Sequence, residues 1–461
     1  MHRIALAAAF VLAAQSAFAG GNTAFVSTLG TDQSNDCLSS SNPCATISHA
    51  AAGSPSTDTI RIASGTYQGD STVLLDPGNI SILGSYDQTF TTQDYSQPSV
   101  LTSKGIRPLT VTYDGGGGNL TIRGVSVVKS SSIPTADPST DSGGGILVRA
   151  INAAGVTVSL ENVIMEANRA VSGGALAVLA EGGAVVTLDI ANSRFSKNKA
   201  YSCGAVVIDG IDAVPPIVTI TKTLFEKNKA AESGGAVCTS VTDPTSSALR
   251  QRLDRVTFLK NKATIGAGLF IFVIEGGEMD VEMFNSVFLK NKAFVGAAVT
   301  ALALPSATVG ADIEIDSVNN TITANKAKGG GGGLLLQSVA SVELPVSTDA
   351  SVMMASTNDI VFGNKGLDAL VGAEAGTVAI LGRDHSIYGD SVAEAPATIV
   401  DGDGMQTADP LFVKKGKDVH LLPASPAIDA AACAEAPPTD FEDQMRPAGS
   451  GCDIGADEFV P

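Results

Sequence analysis

Seven asparagines, Asn168, Asn198, Asn228, Asn261, Asn291, Asn325 and Asn364, mark a repeat that runs over 162–366. Their spacings are 30, 30, 33, 30, 34 and 39 residues. The phrase Phe-Ser-Lys-Asn-Lys-Ala (195–200) returns as Phe-Glu-Lys-Asn-Lys-Ala (225–230) and twice as Phe-Leu-Lys-Asn-Lys-Ala (258–263 and 288–293). Weaker copies stand at 165–170, 322–327 and 361–366. A fixed long period means a solenoid, in which each unit buries its apolar face only against the next.

The local period decides which solenoid. Twelve residues before each asparagine stand Val156, Val186, Pro216, Leu249, Met279, Ile313 and Val352. Ten before stand Val158, Leu188, Val218, Gln251, Val281, Ile315 and Met354, and eight before stand Leu160, Ile190, Ile220, Leu253, Met283, Ser317 and Ser356. The positions between are mostly polar, so this stretch is a strand with one face inward. A Met/Phe/Ile/Val column lies three before the asparagine: Met165, Phe195, Phe225, Phe258, Phe288, Ile322 and Val361. A further strand is opened by Gly-Gly-Ala-Leu (173–176), Cys-Gly-Ala-Val (203–206), Gly-Gly-Ala-Val (234–237), Gly-Ala-Gly-Leu (266–269) and Gly-Ala-Ala-Val (296–299). Short strands with Gly and Asn corners and no helical stripe predict a parallel β-helix, with coils stacked at ~4.8 Å. Inward asparagines in register then bond along the stack as a ladder, beside a column of stacked phenylalanines.

The paired phrases Phe-x-x-Asn and Gly-Gly-Ala-(Ile/Leu/Val) resemble the repeats of polymorphic outer-membrane proteins, which are autotransported bacterial surface proteins. The resemblance implies a right-handed, pectin-lyase-like β-helix and an adhesin-like role. The chain departs from that family in having no membrane β-barrel after the repeats.

Residues 1–19 read as a secretory signal: a basic start, an apolar run over 4–14 and Ala17-Phe18-Ala19 at the end. Export fits the rest of the composition. With 29 basic and 47 acidic residues the net charge is −18. That excludes nucleic acid and anionic membrane as bulk partners. No stretch is apolar enough to span a membrane, and a monomer is expected. Six cysteines in an exported chain can pair. Cys37 with Cys44, and Cys433 with Cys452, each bracket a loop and are the expected disulfides. Cys203 and Cys238 lie on adjacent coils about four positions out of register. Along a strand that offset is ~13 Å, beyond disulfide reach without a bend, so both read as buried thiols.

Residues 20–69 are read as an N-terminal cap and first coil, with a strand at 24–27 and a short helix over 43–51; an end coil needs such a cap to cover its core and strand edge. The β-helix then runs over 70–400. Its Gly115–Gly118 stretch is a turn rather than a phosphate loop, and 129–142 is an exposed loop. Residues 401–461 differ in character: Ala408-Asp409-Pro410-Leu411-Phe412, then Pro423-Ala424-Ser425-Pro426-Ala427-Ile428-Asp429, then Cys452-Asp453-Ile454-Gly455-Ala456-Asp457-Glu458-Phe459. This segment resembles the end module of exported bacterial β-helix proteins known as choice-of-anchor Q. Physically it can cap the far end of the solenoid. Its acids could attract Ca²⁺, but no EF-hand spacing is present.

Two outward columns are candidate sites. Arg169 and then Lys199, Lys229, Lys262, Lys292, Lys326 and Lys365 follow the asparagines, and Lys197, Lys227, Lys260 and Lys290 precede four of them. Such a stripe either blocks lateral strand pairing or receives an extended polyanion such as an acidic polysaccharide. The other column lies eleven and nine before the asparagine, where three coils carry Arg250 and Arg252, then Asp280 and Glu282, then Glu314 and Asp316. Longer loops, 239–248 and 304–312, are placed beside it. Stacked carboxylates raise a pKa, hold a cation or flank a glycosidic bond; alternatively they pair with the arginines on a wet face.

Two functions follow from these columns. One is a secreted or surface binding protein, adhesin-like, directed at a polysaccharide, with no cofactor beyond a possible Ca²⁺. The other is a polysaccharide lyase or hydrolase working on the outer face. Against the enzyme, no motif of pectate lyases or polygalacturonases is present, only His385 and His420 lie beyond the cap, and Trp is absent.

Overall fold

The computed structural model describes residues 22–52, 57–69, 73–75, 78–103, 105–132, 141–242, 248–306, 309–340 and 350–461. Residues 1–19, read as a signal, and 133–140 of the segment read as an exposed loop lie outside them; the described flanks Ser130, Ser132, Asp141 and Ser142 are buried. Among the described residues the strands build three long parallel sheets, of 13, 11 and 11 strands, whose order follows the chain coil by coil. The fold is a right-handed parallel β-helix, the hand that parallel crossovers take. Each of eleven coils contributes one strand to every sheet, and Asn22–Val26 and Thr398–Asp401 extend the first sheet at its two ends. In one coil these are Val156–Glu161 in the first sheet, Ile164–Glu166 in the second and Leu176–Glu181 in the third.

Alternation sets the core. In Val156–Glu161 the odd members Val156, Val158 and Leu160 are buried while Thr157, Ser159 and Glu161 are half-exposed. The same inward positions recur in register on the next strand, Val185–Ala191, through Val186, Leu188 and Ile190. Between the first and second sheets the chain turns through one residue in the left-handed region: Asn162, Asn192, Lys222, Arg255, Asn285, Asn319 and Asn358, with φ from 45 to 56°. Asparagine tolerates that conformation better than other non-glycine residues, which explains its share of this column.

The N-terminal end is closed by the helix Ile47–Ala52 against the strand Asn22–Val26, and the Cys37–Cys44 disulfide ties the intervening loop. At the other end, Met405 packs on the core and Gln406 bridges to Ile387, so 402–406 sit on the last coil. The remainder of the tail turns back along the flank of the stack. Its hairpin, Phe412–Lys414 with Asp418–Leu421, and the segment around Ile454 pack on the outward side of the second sheet. There Val287, Leu289, Ile360 and Ile387 meet Phe412, Val419, Leu421, Ala427, Ile454 and Ala456. The sequence reading sets the tail across the end; the structure lays most of it along the side.

The left-handed corner holds it there. Asn285 donates to Thr439 O (2.8 Å), Asn319 to Asp453 O (2.8 Å), and Asn358 to Ala432 O (3.1 Å), while Asp443 pairs with Lys222 (2.7 Å) and Arg255 (2.5 Å). Arg446, fully buried, pairs with Glu458 (2.7 Å) and donates to the carbonyls of Gly455 (2.9 Å) and Ala456 (3.0 Å). A buried guanidinium needs acceptors; both terminal nitrogens find them, while Nε has none among the described residues.

The reading of Cys203 and Cys238 as thiols is overturned: they form a disulfide, with Cα atoms 5.4 Å apart. The estimate along a straight strand fails because Cys203 is not in a strand. It sits in the left-handed region (φ 57°), at the corner before Val206–Ile211, and bends back over the outer face. Gly234 takes the matching conformation one coil on (φ +63°), and a Cβ there would lie 2.0 Å from the Cys238 sulfur. Glycine is required at that position to leave room for the bridge.

Candidate functional site

The corner between the second and third sheets carries the repeat phrase. In each coil the residue before the asparagine (Lys197, Lys227, Lys260, Lys290) takes a φ of 55–58°, which turns the asparagine inward and the next lysine outward. Asn168, Asn198, Asn228, Asn261, Asn291 and Asn325 are all fully buried. Each Oδ1 accepts from the coil before it, as when Asn228 Oδ1 accepts from the Asn198 backbone N–H (3.0 Å) and side-chain amide (3.0 Å). Each amide also donates to the carbonyl three residues before the preceding asparagine, as from Asn228 to Phe195 O (2.9 Å). Beside the ladder Phe195, Phe225, Phe258 and Phe288 stack with centroids 5.0, 5.2 and 4.5 Å apart.

This rigid interior fixes the exterior. Arg169, Lys199, Lys229, Lys262, Lys292, Lys326 and Lys365 pair in register coil to coil, and all are exposed. None of the seven has an ion-pair partner among the described residues. The preceding column is paired in part: Lys197 pairs with Glu166 (2.6 Å) and Lys227 with Glu226 (2.5 Å), while Lys260 and Lys290 have no ion-pair partner among the described residues. Two positions beyond the unpaired lysines, on the same outward side, Tyr201 and Phe294 are 58% and 57% exposed. The structure therefore presents one continuous cationic line ~29 Å long, six steps of ~4.8 Å, flanked by two bare aromatic rings.

The first sheet brings the acid residues together in the expected rows. Arg250 and Arg252 face Asp280 and Glu282, which face Glu314 and Asp316, and Met353 and Ala355 end the patch. A further row, Glu278 opposite Asp312, extends it. Arg252 binds Glu282 (2.7 Å) and lies over the Phe284 ring (4.2 Å), while Arg250 reaches Asp280 only at 4.0 Å. Burial, then the charges of Asp316 and Asp280, raise the Glu314 carboxyl above its ordinary pKa; burial, then Glu282 and Asp280, do the same for Asp316. Of the loops expected here, 239–242 continue a third-sheet strand and 311–312 open a first-sheet strand. Residues 243–247 and 307–308 lie outside the described residues. Among the described residues the group of three converging metal-ligand side chains is Cys37, Cys44 and His49, and the two cysteine sulfurs are joined to each other. The acid rows form no such group.

Two features escaped the sequence reading. One is a second buried polar ladder at the first corner, in which Ser286 N donates to Asn320 Oδ1 (2.8 Å) and Asn320 N to Asp359 Oδ1 (2.7 Å). Asp359 also accepts from the Ser317 and Ser356 hydroxyls, each at 2.6 Å. The other is the tail's docking face. Its signal stands in the repeat phrase itself: the outward residue after the phenylalanine is Ser196 or Glu226 in the earlier coils and Leu259 or Leu289 where the apolar contact with the tail forms.

The model of the Chlamydia polymorphic membrane protein (Chlamydia_PMP) repeat matches residues 222–240. That span holds Phe225, Asn228 and the corner Gly234-Gly235-Ala236-Val237. No curated protein matches the chain. Among solved structures, a crystal structure of pectate lyase Pel9A is similar over 95% of this chain and 96% of that chain, with a TM-score of 0.40 and 12% sequence identity. No helix among the described residues is long and apolar enough to cross a membrane.

Proposed function

We propose that this is a secreted or cell-surface β-helix protein that binds an extended acidic polysaccharide along the lysine line of the second corner. The observation that carries it is the unpaired register of Lys199, Lys229, Lys262, Lys292, Lys326 and Lys365 in a chain of net charge −18. Like charges stacked one strand apart repel. With acid plentiful elsewhere, the chain nonetheless supplies this column with no counter-charge. A linear polyanion laid along the axis supplies it, and the exposed Tyr201 and Phe294 rings offer faces for sugar stacking. Three disulfides and the signal-like start of the chain support an oxidising, extracytoplasmic setting. Titration with polygalacturonate, dextran sulfate and neutral dextran tests the reading. Salt-sensitive binding of a charged polymer, lost in Lys262→Gln/Lys292→Gln/Lys326→Gln, is expected; equal binding of neutral dextran, or no binding, overturns it.

A second reading, a lyase or hydrolase on the first sheet, is favoured by one observation. The raised carboxyls of Glu314 and Asp316 are of the kind a general acid requires. Release of unsaturated or reducing ends from the same polymers tests it, and an unchanged yield in Glu314→Gln sinks it.

A further inference from the structure

The lysine line does not stand alone on its corner. The tail hairpin turns through Lys415, Gly416 and Lys417, and its tip rests on the column just before the ladder asparagines. A Cβ on Gly416 would lie 3.3 Å from Ala324 Cβ and 3.5 Å from Lys290 Cε, and one on Gly363 would lie 3.8 Å from Lys415 Cε. Lys415 Nζ is 5.8 Å from the centre of the Phe362 ring and 3.0 Å from Asp409. Ala324, Lys290 and Gly363 are each two residues from a member of the cationic line, respectively Lys326, Lys292 and Lys365. Two residues span at most ~7 Å. The hairpin turn 414–417, with Lys414, Lys415 and Lys417 exposed, therefore lies beside the line over its last three coils. Across the line, Phe294 and Lys328 are exposed.

We infer that the tail hairpin is the second wall of the polyanion site, so that a polymer seated on Lys292, Lys326 and Lys365 is also held by Lys414, Lys415 and Lys417. This rests on the reading of the lysine line as a polyanion site and adds a consequence to it. The three hairpin lysines are 122 residues or more from Lys292 in sequence, since 414 minus 292 is 122. Only the docked tail brings them there. A ligand that touches both walls binds the docked form better than the undocked form and must stabilise docking by the same factor. The tail is then a clasp whose closure and polymer binding reinforce each other. The contacts of the hairpin tip with Lys290, Ala324 and Gly363 place this wall at the C-terminal end of the line, beyond the coils of Lys199 and Lys229.

The test uses the full chain, the hairpin variant Lys414→Gln/Lys415→Gln/Lys417→Gln and the line variant Lys262→Gln/Lys292→Gln/Lys326→Gln, with polygalacturonate and dextran sulfate as probes. Each variant is expected to bind about tenfold more weakly at low salt, as the loss of three exposed charge contacts implies, with a shallower dependence of affinity on salt. In the wild type, polymer is expected to slow proteolysis within 407–461, and in the hairpin variant that protection is expected to vanish. If the hairpin variant binds as the wild type does while the line variant is impaired, the clasp is wrong and the line stands. Unchanged tail proteolysis on saturation also overturns the clasp. If the wild type binds neither polymer, the line itself falls and the clasp with it. Separate dissociation constants for the two polymers distinguish carboxylate from sulfate as the recognised charge.

Discussion

Asp368 Oδ1 accepts two hydrogen bonds from Asn364, one from its backbone N–H and one from its side-chain amide, both 2.8 Å long. The asparagine ladder thus ends on a carboxylate, which takes the place of the next coil's asparagine. At the other end Ser130 N donates to Asn168 Oδ1 (3.0 Å). Every rung between has both a donor and an acceptor.

The ladder makes a graded prediction. Asp368→Ala leaves the Asn364 amide without its acceptor and is expected to cost about 1–3 kcal/mol, whereas Asp368→Asn keeps the acceptor and is expected to be neutral or stabilising at pH 7. Within the ladder, Asn228→Ala is expected to cost a similar ~1–3 kcal/mol, and Lys229→Ala close to nothing or a slight gain. Midpoints in denaturant read all four. Equal midpoints for the Asn228 and Lys229 variants would contradict the inward and outward assignment.

Acid strengthens this fold before it weakens it. Burial pushes the carboxyls of Asp359, Asp368, Asp453 and Asp457 up to about 6, above the ordinary value of ~3.9. The folded state therefore holds these protons more tightly, and stability rises as pH falls from ~6 to ~4. His420 acts in the same sense at higher pH. Burial opposes its charge, but hydrogen bonds to Asp418 and Glu442 and the charge of Asp457 prevail and lift it to about 9. Its contribution is full below ~6.5 and lost as pH rises through 9. Hydrogen bonds hold Asp418 and Asp443 below their ordinary value, so their contribution is lost as pH falls beneath ~4. The melting temperature is expected to be higher at pH 5 than at pH 8 and to fall again by pH 3. A maximum at pH 8 would be inconsistent with these sites.

Gln251 occupies an inward position of the strand Leu249–Asp254, is 1% exposed, and has no partner for Nε2 or Oε1 among the described residues. Thr239 Oγ1, inward on the third-sheet strand of the preceding coil, Val237–Thr242, is also unpartnered among them. Burial of an unpaired amide is costly. Gln251→Leu is expected to stabilise by about 1–2 kcal/mol, read as a higher midpoint with an unchanged denaturant slope. A lower midpoint would show that the amide is satisfied in solution.

The acid rows repel. Glu314→Gln/Asp316→Asn is expected to raise stability at pH 7 by about 0.5–1 kcal/mol in chelator, because the cross-strand like charges disappear. Both side chains point outward and keep solvent contact despite the partial burial that raises their carboxyls, so the fold is expected to persist. Unfolding of the variant would place these side chains inward. If calcium stabilises the wild type and not the variant, the rows gather a cation.

Tail docking rests on outward apolar groups of the second sheet. Leu289→Ser removes one of them, 7% exposed, from the middle of that contact. Trypsin is then expected to cleave within 407–461 several times faster, while the β-sheet circular dichroism is retained. Unchanged cleavage would show that the corner asparagines and Arg446 suffice to hold the tail.

Everything that repeats at short range could be read from the chain alone. The ~30-residue period, the alternation through Val156, Val158 and Leu160, and the columns of Asn, Phe and Lys each follow from a neighbour one coil away. The β-helix, the strand register and the pairing of Asp280 with Glu314 and Glu282 with Asp316 were therefore legible, and so was the line of lysines. The contacts that emerge on folding alone lie outside the period. Lys222 meets Asp443 across 221 residues, and Asn319 meets Asp453 across 134. No repeat encodes such a contact; it arises because a non-repeating tail finds the apolar face that Leu259 and Leu289 leave open. The Cys203–Cys238 bridge and the lysines beside the line were hidden for the same kind of reason. A left-handed corner residue and a returning chain shorten distances that counting along a strand overstates.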